Sequence, residues 1–294
     1  MSTPTASQPT RHRREDEFTG ERHVFVPHSV GLPPLRSYGR ELWLRREFAF
    51  ELARTKLREQ NYDTAFGQIW LVLNPLLMAL VYFLLVDIIR GGGHRPPGFF
   101  AHLVAGLFAF QIIQNAMTVG VKSVTKGGKL ILNSAFPRAL LPLSAVITSF
   151  MRFLPTLLIY IPIHFVSGLP VNENTLWVLP ILALLLLLAA GLSMLVAAGQ
   201  VYFRDLANFL PYMLRIWLYI SPVLYFAASV PERYKWILDV NPLGGLLTAW
   251  SDVLIEGTEP TYRGIALGAG WGIGLFVIGF LFFLSREREF AVRI

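Results

Sequence analysis

Long apolar runs separated by short polar segments dominate the chain. Six of these runs are each about 20 residues or longer, the length that a helix needs to cross the hydrocarbon core of a bilayer. The pattern therefore predicts an all-α integral membrane protein with six transmembrane helices. The predicted spans are residues 67–89, 99–121, 139–166, 176–198, 207–228 and 263–284.

The residues before the first span divide into two parts. Residues 1–36 combine Ser, Thr and Pro with mixed charges and carry little apolar surface, which predicts a disordered cytoplasmic tail ahead of a transmembrane domain at 37–294. Residues 38–60 favour a helix whose apolar side chains, including Trp43 and Phe48, share one broad side. We expect an interfacial helix lying on the membrane; an ordinary exposed helix is the alternative.

The segment between the last two spans has a different pattern. Two apolar pieces, residues 234–240 and 243–255, are separated by Asn241-Pro242. Each piece is too short to span a bilayer, so together they favour an external re-entrant helical hairpin that enters the outer leaflet and returns. A pair of helices on the outer surface is the alternative.

Composition and charge agree with a membrane protein. Hydrophobic residues make up 54% of the chain and charged residues 15%, whereas soluble domains usually carry about a quarter charged residues. The net charge is +7, and 19 of the 26 Lys and Arg residues fall on one side of the predicted membrane, against five on the other. By the positive-inside rule, both termini are expected in the cytoplasm of a multi-pass plasma (inner) membrane protein, with no nucleic-acid partner.

Two arginines lie inside predicted spans, where a charge is costly and usually faces a cavity or a partner. Arg152 is near the middle of the third span, and Asp87 is its candidate partner. Arg215 is about two turns into the fifth span, where Asp205 is a candidate partner at the cytoplasmic interface.

Aromatic residues accompany Arg215 at spacings of three, four and seven along the fifth span, which places them on one helix face. Aromatic rings stack on the apolar sides of sugars, and the arginine fork suits phosphate, so this stripe predicts a route for a phosphorylated, sugar-bearing solute. Packing among helices is the alternative. The predicted channel residues are Phe209, Tyr212, Arg215, Tyr219, Phe226 and Arg152.

Sequence signatures of an energy source or an active site are missing. The nearest approach to a nucleotide-binding loop is Gly127-Gly128-Lys129, which lacks the preceding Gly and the following Ser or Thr. The histidines do not have zinc-protease spacing, and there is no cysteine. If ATP drives this protein, another chain supplies it.

The last span is rich in glycine. Gly268 with Gly272, and Gly270 with Gly274, form two small-xxx-small pairs. Such pairs allow helix backbones to approach closely, so they predict helix packing and no direct role in transport.

Four short sequence elements occur in the order found in one transporter family. They are Gly67-Gln68-Ile69-Trp70 with Asn74-Pro75-Leu76-Leu77, then Phe136-Pro137-Arg138-Ala139-Leu140-Leu141-Pro142-Leu143, Tyr202-Phe203-Arg204-Asp205 and Asn241-Pro242-Leu243. Over about residues 40–294 the chain resembles ABC-2 type permeases that export polysaccharides, O-antigens, galactans and teichoic acids. One departure is Gln200-Val201, where a further basic residue is common in the family.

The resemblance implies a homodimer that forms the channel, with a dimer of ABC ATPase subunits docked beneath it. The loop with Phe136, Pro137 and Arg138 would be the coupling helix, and Arg204 and Asp205 would brace the base of the fifth span. The first and fifth spans would line the pore. ATP and Mg²⁺ would bind the partner ATPase, and this chain would hold no cofactor or metal.

The leading hypothesis is the permease subunit of an ABC exporter. It would move a polyprenyl-pyrophosphate-linked cell-envelope polymer outwards, in contact with membrane lipid. The alternatives are an ABC-2 permease for drugs or lipids, a membrane enzyme acting on polyprenyl carriers, and a secondary carrier.

Overall fold

The computed structural model describes residues 34–59, 67–89 and 97–293, which form helices and turns with no strand among them. The predicted tail at 1–36 falls mostly outside the described residues. The thirteen α-helices of the described part are α1 (Leu35–Leu44), α2 (Arg46–Glu59), α3 (Trp70–Ile89), α4 (Phe99–Gly120), α5 (Ser123–Lys126), α6 (Gly128–Asn133), α7 (Leu140–Val166), α8 (Val178–Tyr202), α9 (Leu206–Ile220), α10 (Trp236–Val240), α11 (Gly244–Ser251), α12 (Tyr262–Arg286) and α13 (Phe290–Arg293).

Four helical stretches of the described chain are long and apolar enough to cross a membrane, namely Phe99–Gly120, Leu140–Val166, Glu173–Tyr202 and Tyr262–Arg293. They match the second, third, fourth and sixth predicted spans. In the first span, the apolar helical stretch of the described residues is shorter, at Val72–Leu85. The all-helical architecture is therefore confirmed, whereas six crossings stay a prediction.

The fifth span is shorter than the predicted 207–228, because α9 has 15 residues and ends at Ile220. Pro222 explains the early end. A residue before proline is pushed out of the helical region by the proline ring, and Ser221 has an extended backbone with φ −83° and ψ 149°.

The predicted N-terminal helix is two helices, since α1 begins at Leu35 and Arg45 interrupts it with a ψ of 17°. Ala49 and Ala53 of α2 are buried, and α2 packs along α7. Trp43, by contrast, is 69% exposed. The apolar residues of this region therefore divide between the protein interior and the surface.

Glycines set the closest helix crossing, between α8 and α12. A methyl group added at Gly191 would overlap the α12 backbone at Leu275, and one added at Gly279 would overlap the backbone of Gly191. Gly268 and Gly272 also pack closely, against Leu246 and the Leu184 carbonyl. The predicted packing of that pair is confirmed. The other pair, Gly270 and Gly274, has open space around it and takes no part in the crossing.

Prolines do not interrupt α7, which runs unbroken over 27 residues with Pro155 and Pro162 inside it. Pro142 is its third residue. The first backbone N–H groups of a helix have no partner within the helix, so a proline there costs no hydrogen bond and produces no kink.

The Asn241-Pro242 turn of the predicted hairpin is fastened to the end of α9. The Asn241 Oδ1 atom accepts hydrogen bonds from the Trp217 indole N–H at 2.7 Å and from the Leu243 backbone N–H at 3.0 Å. Its Nδ2 atom donates to the Ser221 Oγ atom at 3.0 Å. A buried amide with these three partners fixes the position of the turn.

The second limb of the hairpin lies inside the protein. Trp250 of α11 is buried, and its ring is 6.3 Å from that of Phe153, centroid to centroid. Phe153 is about 20 Å along the 27-residue helix α7. The limb therefore reaches the middle of a candidate membrane span, while its path relative to the bilayer stays a prediction.

We expect Gly279→Val to lower the free energy of unfolding by about 1–3 kcal/mol relative to Gly274→Val. Both variants place the same residue in α12, but only the first forces α8 and α12 apart. Unfolding of the purified protein in detergent measures the difference. Equal stability of the two variants would contradict the close packing of α8 against α12 at Gly279.

Candidate functional site

A cavity of about 570 Å³ lies between α3, α4, α7 and α9. Arg152 on α7 and Arg215 on α9 both line it, so the structure brings together the two arginines that the sequence places inside spans. The other polar wall residues are Asn74, Gln111, Gln114 and Asn115, and the aromatic ones are Trp70, Tyr82 and Phe110. Guanidinium, amide and ring groups together suit an anionic solute rich in oxygen.

Arg152 contributes an unsatisfied donor to this region. Its Nη1 atom donates to the Asn115 Oδ1 atom at 3.4 Å, and its buried Nε atom has no hydrogen-bond partner within the described part of the chain. The side chain of the proposed partner Asp87 lies outside the described residues. An unmade bond at a buried N–H group costs free energy, and an oxygen acceptor supplied by a solute would recover it.

Arg215 is exposed on α9 and faces the cavity without help from the proposed partner Asp205. Ten residues separate the two, which is about 15 Å along a helix axis and too far for an ion pair. The interpretation that Asp205 pairs with Arg215 is therefore wrong.

The aromatic stripe on α9 forms only in part. Phe209, Tyr212 and Tyr219 are exposed together with Arg215, while the opposite face of the helix is buried. Tyr219 contacts the cavity wall through the ring of Tyr82, with centroids 6.3 Å apart. Phe209 and Tyr212 do not line the cavity itself.

Phe226 does not belong to the stripe, which corrects the sequence interpretation. It lies six residues beyond the end of α9, where seven-residue spacing no longer describes a helix face. Its ring stacks on His102 at a centroid distance of 4.1 Å. His102 in turn contacts the Ser251 hydroxyl at 2.8 Å, so Phe226 is part of a packed cluster with His102 and Ser251.

The loop between α6 and α7 carries the three predicted coupling residues, and the N-terminal helices lie beside it. The ring of Phe136 packs on that of Phe48 at 5.2 Å, centroid to centroid. The Arg45 guanidinium donates to the Ala135 carbonyl at 2.6 Å. Pro137 is buried. The loop is therefore held by contacts within the chain.

Arg138 is bound to Glu287, just after the last long helix. The Arg138 backbone N–H donates to the Glu287 Oε1 atom at 2.6 Å, and its guanidinium donates to the Glu287 carbonyl. Burial raises the pKa of the Glu287 carboxyl, against opposing hydrogen bonds from Tyr38 and Arg138. Burial and the nearby Glu287 also raise the pKa of Tyr38. The loop, α1 and the C-terminal segment meet at this carboxylate.

Arg204 and Asp205 are exposed in the turn that leads into α9, and Gln200 holds this turn together. The Gln200 Nε2 atom donates to the Arg204 carbonyl at 2.7 Å, and its Oε1 atom accepts from the Ala207 N–H at 2.8 Å. The Asp205 carbonyl accepts from the Phe209 N–H at 3.1 Å. Gln200, a departure from the family pattern, thus clamps the base of α9.

Comparison with known proteins identifies the family. The model of the ABC-2 type transporter family matches residues 50–253. The chain belongs to this family. The resemblance stated from the four sequence elements is confirmed, and the chain is a multi-pass membrane protein of the ABC-2 permease class.

Two relatives of this ABC-2 permease carry the same description. An "O-antigen export system permease protein RfbA" from Klebsiella pneumoniae is 28% identical over 236 residues, covering 80% of this chain and 90% of the relative. A protein of the same description from Myxococcus xanthus is 26% identical over 258 residues, covering 86% and 97%. The similarity therefore extends over most of each chain.

The structure identifies three residues of the permease, by their contacts or their exposure, that the sequence analysis does not name. Asn115 contacts Arg152 from a helix 37 positions away. Glu287 contacts Arg138 across 149 positions. Leu132, at the end of α6, is an apolar side chain 64% exposed, four residues before Phe136. No local pattern relates the first two to their partners, whereas Leu132 stands out only once its exposure is known.

We expect the stability of the permease to fall as pH rises through the pKa of Glu287. The folded-state pKa lies above the ordinary 4.5, so the folded protein binds this proton more tightly than the unfolded chain. The resulting stabilisation is complete at pH values below the pKa of Glu287 in the unfolded chain. It is lost as pH rises through the pKa of Glu287 in the folded protein. Glu287→Gln should make the fall shallower, as measured by unfolding in detergent across this pH range.

Glu289→Gln is the matched control for that substitution. Hydrogen bonds from Tyr202 and Arg286 lower the pKa of Glu289, so its stabilisation is instead lost as pH falls. Replacing the Glu289 carboxylate should therefore leave unchanged the loss of stability that occurs as pH rises. A similar change of slope in both variants would contradict the role given to Glu287.

Proposed function

We propose that this chain is the permease subunit of an ABC exporter that moves a polyprenyl-linked cell-envelope polysaccharide outwards across the plasma membrane. The observation that carries the proposal is the convergence of Arg152 and Arg215 on one cavity lined by amide and aromatic side chains. A lipid-linked polymer offers phosphate groups to the arginines and sugar faces to the rings. The printed description of the relatives, O-antigen export permeases, supports the same solute class.

The proposed assembly is a homodimer with the α3 and α9 faces of the two copies lining the channel. In the single chain, α3 exposes Met78 and Val81, and α9 exposes Tyr212 and Ile216. Large apolar surfaces next to a polar cavity are suited to a second copy or to lipid. Both termini would be cytoplasmic, as the distribution of basic residues favours.

ATP and Mg²⁺ would act in a separate ATPase dimer beneath the membrane domain. In the proposed mechanism, ATP-driven closure of that dimer pushes on the segment at 122–138. Phe136, Pro137 and Arg138 transmit the movement, with Arg204 and Asp205 supporting α9. Because Arg138 is anchored to Glu287, the surface that meets the ATPase is expected to be the exposed end of α6, next to those residues.

We expect Leu132→Asp to weaken binding of the partner ATPase at least about tenfold, since burying a leucine contributes roughly 1.5–3 kcal/mol. The measurement is the affinity of the purified ATPase for the permease in nanodiscs. Val292→Asp is the control, because Val292 is 88% exposed after the last long helix. Unchanged affinity in Leu132→Asp would remove α6 from the proposed interface.

We expect Arg215→Gln to reduce export of the polymer at least about tenfold, the effect of losing one hydrogen bond between charged groups. Arg215→Lys keeps the positive charge but loses the planar guanidinium, so its export should lie between that of the unsubstituted chain and that of Arg215→Gln. Arg233→Gln is the matched control, because Arg233 contacts the Tyr234 ring outside the cavity. Surface-displayed polymer in cells with equal permease levels provides the measurement.

Unchanged export in Arg215→Gln would overturn the role of the cavity.

A separate experiment addresses the energy source. Replacing the catalytic glutamate of the partner ATPase should stop export in the proposed mechanism, whereas a secondary carrier would continue. Purified permease that transformed a polyprenyl-linked substrate without the ATPase would instead support a membrane enzyme.

A further inference from the structure

An apolar groove of about 290 Å³ lies between the N-terminal helices and the beginning of α7. Gly39 and Trp43 of α1 form one side, and Leu143 and Ile147 of α7 form the other. The volume is close to the lower end of typical ligand sites, roughly 300 Å³. It is separate from the cavity that contains Arg152 and Arg215, because the two share no wall residue.

The groove occupies the end of a candidate membrane span. It extends along α7 from Leu140, the first residue of that helix, to Ile147. Seven residues of helix correspond to about 10 Å. In the proposed topology, the groove lies at the depth where lipid acyl chains begin, and hydrocarbon is the most abundant apolar material next to it.

The rim of the groove is basic and aromatic. The Arg46 guanidinium lies 4.8 Å from the centre of the Trp43 ring, and Arg46 also donates to the Trp43 carbonyl at 3.0 Å. Arg36 and Arg40 are exposed on α1. Glu41 pairs with Arg45 at 3.3 Å. Arg46 is the charged residue among those that line the groove, so the charge at its wall is positive.

We propose that the groove binds one acyl chain of an anionic glycerophospholipid, whose phosphate lies against Arg46. Trp43 stands at the polar boundary, a position typical of tryptophan in membrane proteins. The lipid would fill the space between α1 and α7 and hold the N-terminal helices on the bilayer beside the coupling loop. This lipid site does not depend on which solute the permease exports.

Photolabelling in nanodiscs tests the proposal. The full chain, assembled with its ATPase, is placed in phosphatidylcholine containing a minor amount of phosphatidylglycerol with a photoreactive acyl chain. Labelled peptides are located by mass spectrometry after irradiation. The expected label is concentrated on α1 and the first two turns of α7, and an equal distribution over all the long helices would overturn the proposal.

Gly39→Leu is the variant that fills the groove. Apart from its chain neighbours and the backbone of its own helix, no atom lies within 4 Å of a Cβ atom built at Gly39, so the larger side chain enters open space. We expect labelling of the groove to fall at least about fivefold, whereas Gly39→Ala, which adds only one methyl group, should stay within about twofold. Equal labelling of Gly39→Leu and the unsubstituted chain would overturn the proposal.

Arg46→Gln tests the anionic preference. One basic residue near a membrane surface is worth about fivefold in binding an anionic lipid. Labelling by the phosphatidylglycerol probe should fall by that factor, and labelling by a matched phosphatidylcholine probe should not change. Equal labelling of the unsubstituted chain by both probes would overturn the headgroup assignment. If Gly39→Leu separates copies of the chain without changing lipid labelling, the groove is a protein interface and the proposal fails.

Discussion

The contact between Glu287 and Arg138 is the interaction on which the cytoplasmic end of the proposed topology depends. It joins a loop before α7 to the residues after α12, and Tyr38 of α1 reaches the same carboxylate. Around it is a separate apolar cluster that includes Ile131, Phe283 and Phe290. Burying the carboxylate is unfavourable, and donors from two other segments, Arg138 of the loop and Tyr38 of α1, offset that cost. The loop is consequently part of a folded unit and not a free appendage.

The part of the molecule that is proposed to line the channel has the opposite character. At the α8–α12 crossing, backbones touch and no space is left, whereas α3 and α9 expose large side chains and enclose a polar cavity with α4 and α7. Small residues favour close, rigid packing in membranes. In the proposed mechanism, the closely packed α8 and α12 would therefore provide the frame against which α3 and α9 change position.

The sequence predicted the helical membrane architecture, four of the long spans and the close packing of Gly268 and Gly272, because each depends on a local and periodic property of the chain. It also placed Arg152 and Arg215 inside spans. It predicted α9 to continue to 228 because the apolar run does, but the backbone restriction imposed by Pro222 ended the helix at Ile220. The seven-residue spacing that places Phe226 on the stripe assumes the same uninterrupted helix.

The partners of the functional residues could not be predicted in the same way. Asn115, Glu287 and Gln200 act through hydrogen bonds whose geometry depends on tertiary packing. Amphipathic periodicity identifies which face of a helix is buried, but it does not identify the residue opposite. A polar residue in an apolar context indicates that a partner exists, and only coordinates identify it.

The early end of α9 has a consequence for how the chain crosses the thickness of the membrane. Fifteen helical residues rise about 22 Å, whereas the hydrocarbon core of a bilayer is about 30 Å thick. Beyond Ile220, the hydroxyl of the buried Ser221 accepts a hydrogen bond from the amide of Asn241. In the proposed topology, the helical part of α9 is therefore roughly a quarter shorter than the hydrocarbon core, and the non-helical residues after it would have to complete the crossing.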